Sequence, residues 1–158
     1  IMGAEGEGFK IAMKTLDMSR TWVGCGAVGI AQRAIDEAVA YGKQRVTFGK
    51  PILKNQALQF MIADMEIRVE TARQMVAHAL KLMDAGLPYA RESAIAKCYA
   101  GDIAVQNALD AIQILGGYGY SREYPVEKLL RDAKIFQIYE GTNQIQRMVI
   151  GKSVIGKL

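Results

Sequence analysis

Four short stretches carry side chains that a plain helical scaffold does not need. The first is Ile138-Tyr139-Glu140-Gly141-Thr142. Glu140 stands in a short break between two helical patterns, and Gly141 leaves the adjacent backbone N–H open to close approach. A carboxylate on such a joint can point into a cleft and take a proton. An unperturbed Glu titrates near about 4.3, and each unit of upward shift costs about 1.4 kcal/mol. Burial against apolar groups supplies such a shift, while the start of the following helix opposes it by stabilising the anion. The same residues also describe a solvent-facing Glu ahead of a helix. The second stretch, Arg45-Val46-Thr47-Phe48-Gly49 with Gln56, combines a guanidinium, a hydroxyl and an aromatic ring. That set suits a phosphate beside a flat ring, and equally a basic loop between helices. The third, Gln113-Ile114-Leu115-Gly116-Gly117, either ends a helix or lets backbone approach a ligand. The fourth is Asp17 with Arg20, whose i, i+3 spacing puts both on one helix face.

The elements that must position these residues are helical. Val28, Ala31, Ala34, Ile35, Ala38 and Val39 recur at three- and four-residue steps, predicting a helix from Phe9 to about Tyr41. Gly24, Gly26 and Gly29 lie inside it, and each weakens a helix by about 1 kcal/mol against Ala. A close neighbour should therefore compensate. Residues 42–53 read as a loop. A second helix is expected from Asn55 to about Asp84, with Ala57, Phe60, Met61, Met65, Val69, Ala72, Met75, Val76, Ala79 and Met83 as its apolar stripe. A third runs from about Tyr89 to Leu115, stopped by Gly116 and Gly117. A turn-rich stretch, GGYGYSREYP, follows. Shorter helices are expected over Val126 to Lys134 and, capped by Thr142, over Asn143 to about Ile155. Three long helices, two shorter ones and no strands give an all-α, antiparallel helical bundle of about four main helices. Residues 1–8, glycine-rich and without period, read as a connector from a part upstream, and residues 9–158 as the helical domain.

Composition narrows the function. Apolar residues make up 51% and charged residues 23% of 158, and the net charge is +4. Both signs are interspersed, without the clustering a nucleic-acid surface needs. The apolar run from Trp22 to Ala31 lies between Arg20 and Arg33 and is too short to span a bilayer. Cys25 and Cys98 form no metal-type spacing and read as reduced core residues. The one histidine, His78, sits mid-helix, so no metal site is expected. No leader pattern is visible, and the cell interior is the default expectation.

The stretches GEGFKIAM, LDMSR, GAVGIAQRAIDEAVAY, RVTFGKPI, QILGGYGYSREYPVEKLLRDAKI and IYEGTNQIQR together resemble the C-terminal helical domain of the acyl-CoA dehydrogenase family, over essentially the whole chain. The resemblance implies oxidation of acyl-CoA to trans-2-enoyl-CoA with FAD. It places Glu140 as the base for the α-proton and Gly141, with the Glu140 N–H, at the thioester. It puts Asp17, Met18, Ser19 and Arg20 at the acyl-CoA. It puts Arg45, Thr47, Phe48, Gln56, Gln113, Ile114, Leu115, Gly116, Gly117, Thr142, Asn143 and Gln144 at the cofactor. It further implies a homo-oligomer, dimer or tetramer, in which some of these residues reach a neighbouring subunit's FAD, and electron-transfer flavoprotein as acceptor. One subgroup carries its base on the first long helix. The matching position here is Ser19, which leaves Glu140. The family also has an N-terminal helical domain and a middle β-domain, so this chain alone is expected to bind FAD weakly and not turn over. The compartment implied is the cytoplasm in a bacterium or the mitochondrial matrix in a eukaryote. An acyl-CoA oxidase shares the fold and the Glu, and a non-catalytic interaction module could descend from it. The end of the chain soon after the last helix, and the retained Glu140, Arg45 and QILGG run, favour the dehydrogenase.

Overall fold

Alanine spacing decides how closely the long helices approach. In the computed structural model, which describes residues 2–157, α1 spans Gly8–Gln44, α2 Gln56–Asp84 and α3 Ala90–Leu115. Ala27, Ala31, Ala34 and Ala38 of α1 are fully buried, as are Ala96, Ala100, Ala104, Ala108 and Ala111 of α3. Small side chains on both faces let the two backbones come together, and bulkier Met65, Val69 and Val76 of α2 fill the remaining side. Asn107 pins all three helices, its buried amide donating to Met65 O at 3.1 Å and Ala31 O at 3.5 Å. The shorter α4, Val126–Ile135, and α5, Asn143–Ile155, pack on α3. Among the described residues no helix is long and apolar enough to cross a membrane, and no cluster of metal-ligating side chains occurs.

The expected helices are all present. Three details differ. Residues 42–53 are not wholly irregular: Val46–Thr47 (β1) and Lys50–Pro51 (β2) pair antiparallel, 46 with 51 and 47 with 50. The two-residue turn between them puts Phe48 at φ 50° and Gly49 at φ 76°. Two left-handed residues in succession match the right-handed twist of a tight hairpin, and this makes the strands possible. In α2, Ala57 and Phe60 are exposed, because the first turns bury Leu58, Met61 and Ile62 instead. In α1 the expected close neighbours exist at Gly24 and Gly26. A Cβ would meet Val76 Cγ2 at 3.0 Å in the first and the Phe136 ring at 3.0 Å in the second. Gly29 faces open space and has no such reason.

Gly101 of α3 lies directly against the backbone that follows α4. A Cβ there would lie 2.9 Å from the backbone oxygen of Phe136 and 3.2 Å from its carbonyl carbon. The segment leading from α4 to Glu140 thus rests directly on α3. Gly101→Ala must push that backbone away. We expect a loss of about 1–3 kcal/mol in stability, read from the urea midpoint at unchanged slope.

Candidate active site

The joint between α4 and α5 is built around two consecutive left-handed residues, Glu140 at φ 57° and Gly141 at φ 85°. For a glutamate this conformation is costly and persists only when its surroundings impose it. Three helices do so. Arg20 on α1, 5% exposed, donates from Nε to the Glu140 carbonyl at 3.2 Å. Gln146 on α5 donates from Nε2 to the Glu140 carbonyl at 3.2 Å and to the Gly141 carbonyl at 3.0 Å. Lys97 on α3, fully buried, donates from Nζ to the Gly141 carbonyl at 2.8 Å and to Asn143 Oδ1 at 2.9 Å. With both carbonyls drawn inward, the N–H groups of Glu140 and Gly141 find no acceptor among the described residues. They remain available as a donor pair.

The Glu140 carboxylate is half-buried and accepts from Ser19 Oγ at 2.5 Å. Ser19 on α1 and Glu140 on the joint, far apart in sequence, therefore touch in space. Asp17 pairs with Arg20 at 2.8 Å, so this i, i+3 pair is no surface ornament: it holds a buried guanidinium that reaches the joint. Ser93 fixes the same stretch, donating to Asp17 O at 2.6 Å while accepting from Thr21. Met18 is exposed beside it.

Beneath the joint lies a polar network. Asn143, 2% exposed, donates to Cys98 O and to Asp102, and Arg147 and Gln137 also bind Asp102. Burial pushes the Asp102 carboxyl up, and these hydrogen bonds outweigh it and leave the group below its ordinary value. Burial drives the Lys97 ammonium down to about 8, against Coulombic support from Cys98, Asp102 and Glu140. Both polar ends of Asn143 are thus engaged within the fold. Thr142 caps α5, its hydroxyl accepting from Ile145 N at 3.3 Å, and Gln144 is exposed next to it.

A second site lies at the far end of α1. Arg45, Thr47, Ile114, Leu115, Gly116 and Gly117 line one open cleft of about 620 Å³, together with Tyr41 and Tyr118. The α3 glycine stop and the hairpin loop are therefore brought together. Gly116 takes φ 63°, and a Cβ at Gly117 would meet nothing, so backbone is exposed there. Tyr41, Tyr118 and Tyr124 pack with centroids 5.4–6.1 Å apart, and the Arg45 guanidinium lies 5.8 Å from the Tyr118 ring centre. Ile114 and Leu115 are largely core. Gln113 and Gln56 are exposed, and Phe48 projects fully into solvent. From Ser19 to Arg45 the helix rises roughly 39 Å at about 1.5 Å per residue. The two ends of the chain's candidate residues are thus separate sites.

Sequence reasoning missed Lys97, Gln146 and the tyrosine cluster. Lys97 had a signal: it falls on the buried stripe of Ala94, Gly101 and Ala104 at three-, four- and seven-residue steps. A lone lysine on such a stripe must find acceptors inside the fold.

Comparison with known proteins places the chain in a family. Residues 6–155 match the family described as acyl-CoA dehydrogenase, C-terminal domain. An acyl-CoA dehydrogenase of Bacillus subtilis is 53% identical over 156 residues, which are 99% of this chain and 41% of the relative. The structure of butyryl-CoA dehydrogenase from Megasphaera elsdenii superposes with a TM-score of 0.96 at 51% identity, covering 98% of this chain and 40% of that one. A chain from work on the electron transferring flavoprotein of Acidaminococcus fermentans gives 0.97 at 52% identity, over 98% and 41%. The chain spans about two-fifths of the length of these relatives. It belongs to the acyl-CoA dehydrogenase family, as the C-terminal helical domain.

Proposed function

We propose that the protein carrying this chain oxidises short-chain acyl-CoA to trans-2-enoyl-CoA, with Glu140 as the base that removes the α-proton. The observation that carries this reading is the joint itself. A strained glutamate is held with its carboxylate beside α1 and two backbone N–H groups free next to it. A thioester carbonyl bound to those N–H groups would bring its α-carbon close to the carboxylate. As the C–H bond breaks, the proton passes to a Glu140 oxygen and negative charge builds on the carbonyl oxygen. Fixed N–H donors stabilise that charge without reorganising. Ser19 keeps the carboxylate facing α1, and Arg20 and Gln146 keep the N–H groups turned outward.

The residues present fit FAD. A cleft offering a guanidinium, a hydroxyl, aromatic faces and bare glycine backbone suits a dinucleotide. Arg45, Thr47 and Gly116–Gly117 would hold it there, with Gln113, Gln56 and Phe48 at the rim, while Thr142 and Gln144 would meet it near the base. When bound, FAD supplies the acceptor for the hydride that leaves the β-carbon. The two sites stand apart, roughly 39 Å along α1 from Ser19 to Arg45 and roughly 28 Å along α3 from Lys97 to Gly116. The Arg45 cleft would then serve the cofactor of a neighbouring subunit, as the family resemblance implies, with a homo-oligomer, dimer or tetramer, as part of the active site. Electrons would leave to an electron-transfer flavoprotein.

The short-chain assignment leans on the relative from Megasphaera elsdenii named as short-chain specific, 51% identical over 155 residues. The test is a panel of acyl-CoA lengths given to the FAD-loaded full-length protein, with a dye acceptor and with O₂ alone. We expect the highest kcat/KM at short chains and much faster dye reduction than O₂ consumption. Failure of every acyl-CoA to reduce the flavin would overturn the reading, and a preference for O₂ would make the protein an oxidase.

A further inference from the structure

We propose that Lys97 is a positioning residue for this reaction, holding the Glu140–Gly141 joint in its left-handed conformation from beneath. The inference rests on Glu140 being the base. Lys97 is completely buried, and among the described residues no carboxylate lies within ion-pair distance of its ammonium. A buried charge of this kind is retained only where hydrogen bonds satisfy it. Both acceptors it has belong to one segment, the Gly141 carbonyl at 2.8 Å and Asn143 Oδ1 at 2.9 Å. Asn143 in turn is locked to Cys98 O and Asp102. Lys97 thus ties the residue after the base to the middle of α3, the helix with the most buried positions. Arg20 on α1 holds the Glu140 carbonyl, and Gln146 on α5 holds the Glu140 and Gly141 carbonyls. Of the three side chains, Lys97 alone fixes both Gly141 and the first residue of α5, and so sets the angle at which the chain leaves the joint. Rotation of this turn would swing the carboxylate and both N–H groups together. A displacement near 1 Å in a reacting group costs on the order of 100-fold in rate.

The charged and titratable groups around Lys97 are Arg20 from α1, Cys98 and Asp102 from α3, with Arg147 of α5 on Asp102, and Glu140 in the joint. Burial is the largest influence and sets its titration near about 8. Below that pH the bonds to Gly141 and Asn143 are charge-assisted. As the pH rises through it, the amine becomes neutral and its hydrogen bonds weaken.

The test uses the FAD-loaded full-length protein. Lys97→Met should lower kcat on the order of 10- to 100-fold, leave KM within about threefold, and retain its flavin. Lys97→Arg, which keeps a charged donor, should recover most of the rate. The rate of flavin reduction by the unaltered protein should decline above about pH 8, and this decline should vanish in Lys97→Arg. The infrared carbonyl stretch of bound enoyl-CoA should move toward its value in water in Lys97→Met, because the N–H pair is turned away. A Met variant with kcat within twofold of the unaltered protein overturns the proposal. So does a loss of flavin and rate together that Lys97→Arg does not repair. If Lys97→Met does not fold, Lys97→Gln takes its place, and an unchanged kcat and carbonyl stretch in that variant overturn the proposal equally. Glu140→Gln, measured alongside, separates the two ideas: an inactive Gln variant with a normal Met variant sinks the role of Lys97 alone, and an active Gln variant sinks the base on which it rests.

Discussion

Glu140→Gln is expected to lose nearly all acyl-CoA oxidation and to stay yellow. Gln keeps the shape of the side chain and an oxygen that can accept from Ser19 Oγ, the contact made at 2.5 Å by the carboxylate. The joint is held through its backbone carbonyls by Arg20, Lys97 and Gln146, none of which touches the part that changes. The fold and the flavin contacts should therefore survive. What disappears is the capacity to take a proton. A positioned base contributes about 10²–10⁴ in rate, and here Ser19, the only side chain bonded to it among the described residues, cannot replace it. The expected loss is at the top of that range, with KM little changed. Steady-state assays with a dye acceptor, beside the visible spectrum of the purified variant, check both halves of the expectation.

The chain on its own, given FAD and acyl-CoA, is expected to form no product. It spans about two-fifths of the length of its relatives. Apolar groups that would dry a site stand open at its surface: Trp22 and Phe9 on α1, Phe48 at the hairpin tip and Met148 on α5. A carboxylate that must become a stronger base needs water excluded around it. The half-exposed joint does not exclude water unaided. The Arg45 cleft is open as well, so cofactor affinity should be weak and dependent on a partner surface. An acyl-CoA oxidation assay on the isolated 158 residues, with FAD added, checks this, and product at a normal rate would refute it.

Much of the fold was legible because helix period and helix punctuation agree along the chain. The stripe of Ala31, Ala34 and Ala38, the stop at Gly116 and the cap at Thr142 each mark an element locally, and each sits where local chemistry puts it. The hairpin was not legible: its turn depends on Phe48 adopting a left-handed conformation, which no local rule assigns to phenylalanine. The site divides along the same line. Residues close in sequence, such as Glu140 with Gly141, could be seen as a unit. The contact of Ser19 with Glu140 spans 121 positions and that of Lys97 with Gly141 spans 44. Such pairs come from helix packing, which composition does not encode pairwise. Asp17 and Arg20 illustrate the gap. Their spacing fixed a shared face, while burial by α3 and the joint turned an ordinary pair into a support for the Glu140 carbonyl.

Anaerobic mixing of FAD-loaded full-length protein with a slight excess of acyl-CoA, followed by flavin absorbance, shows whether Glu140 takes the α-proton. The unaltered protein should bleach in a single turnover. Glu140→Gln should bind the same ligand and keep its colour. Bleaching of the Gln variant at the unaltered rate would show that another group takes the α-proton, and the account of the joint as a base-bearing site would be wrong.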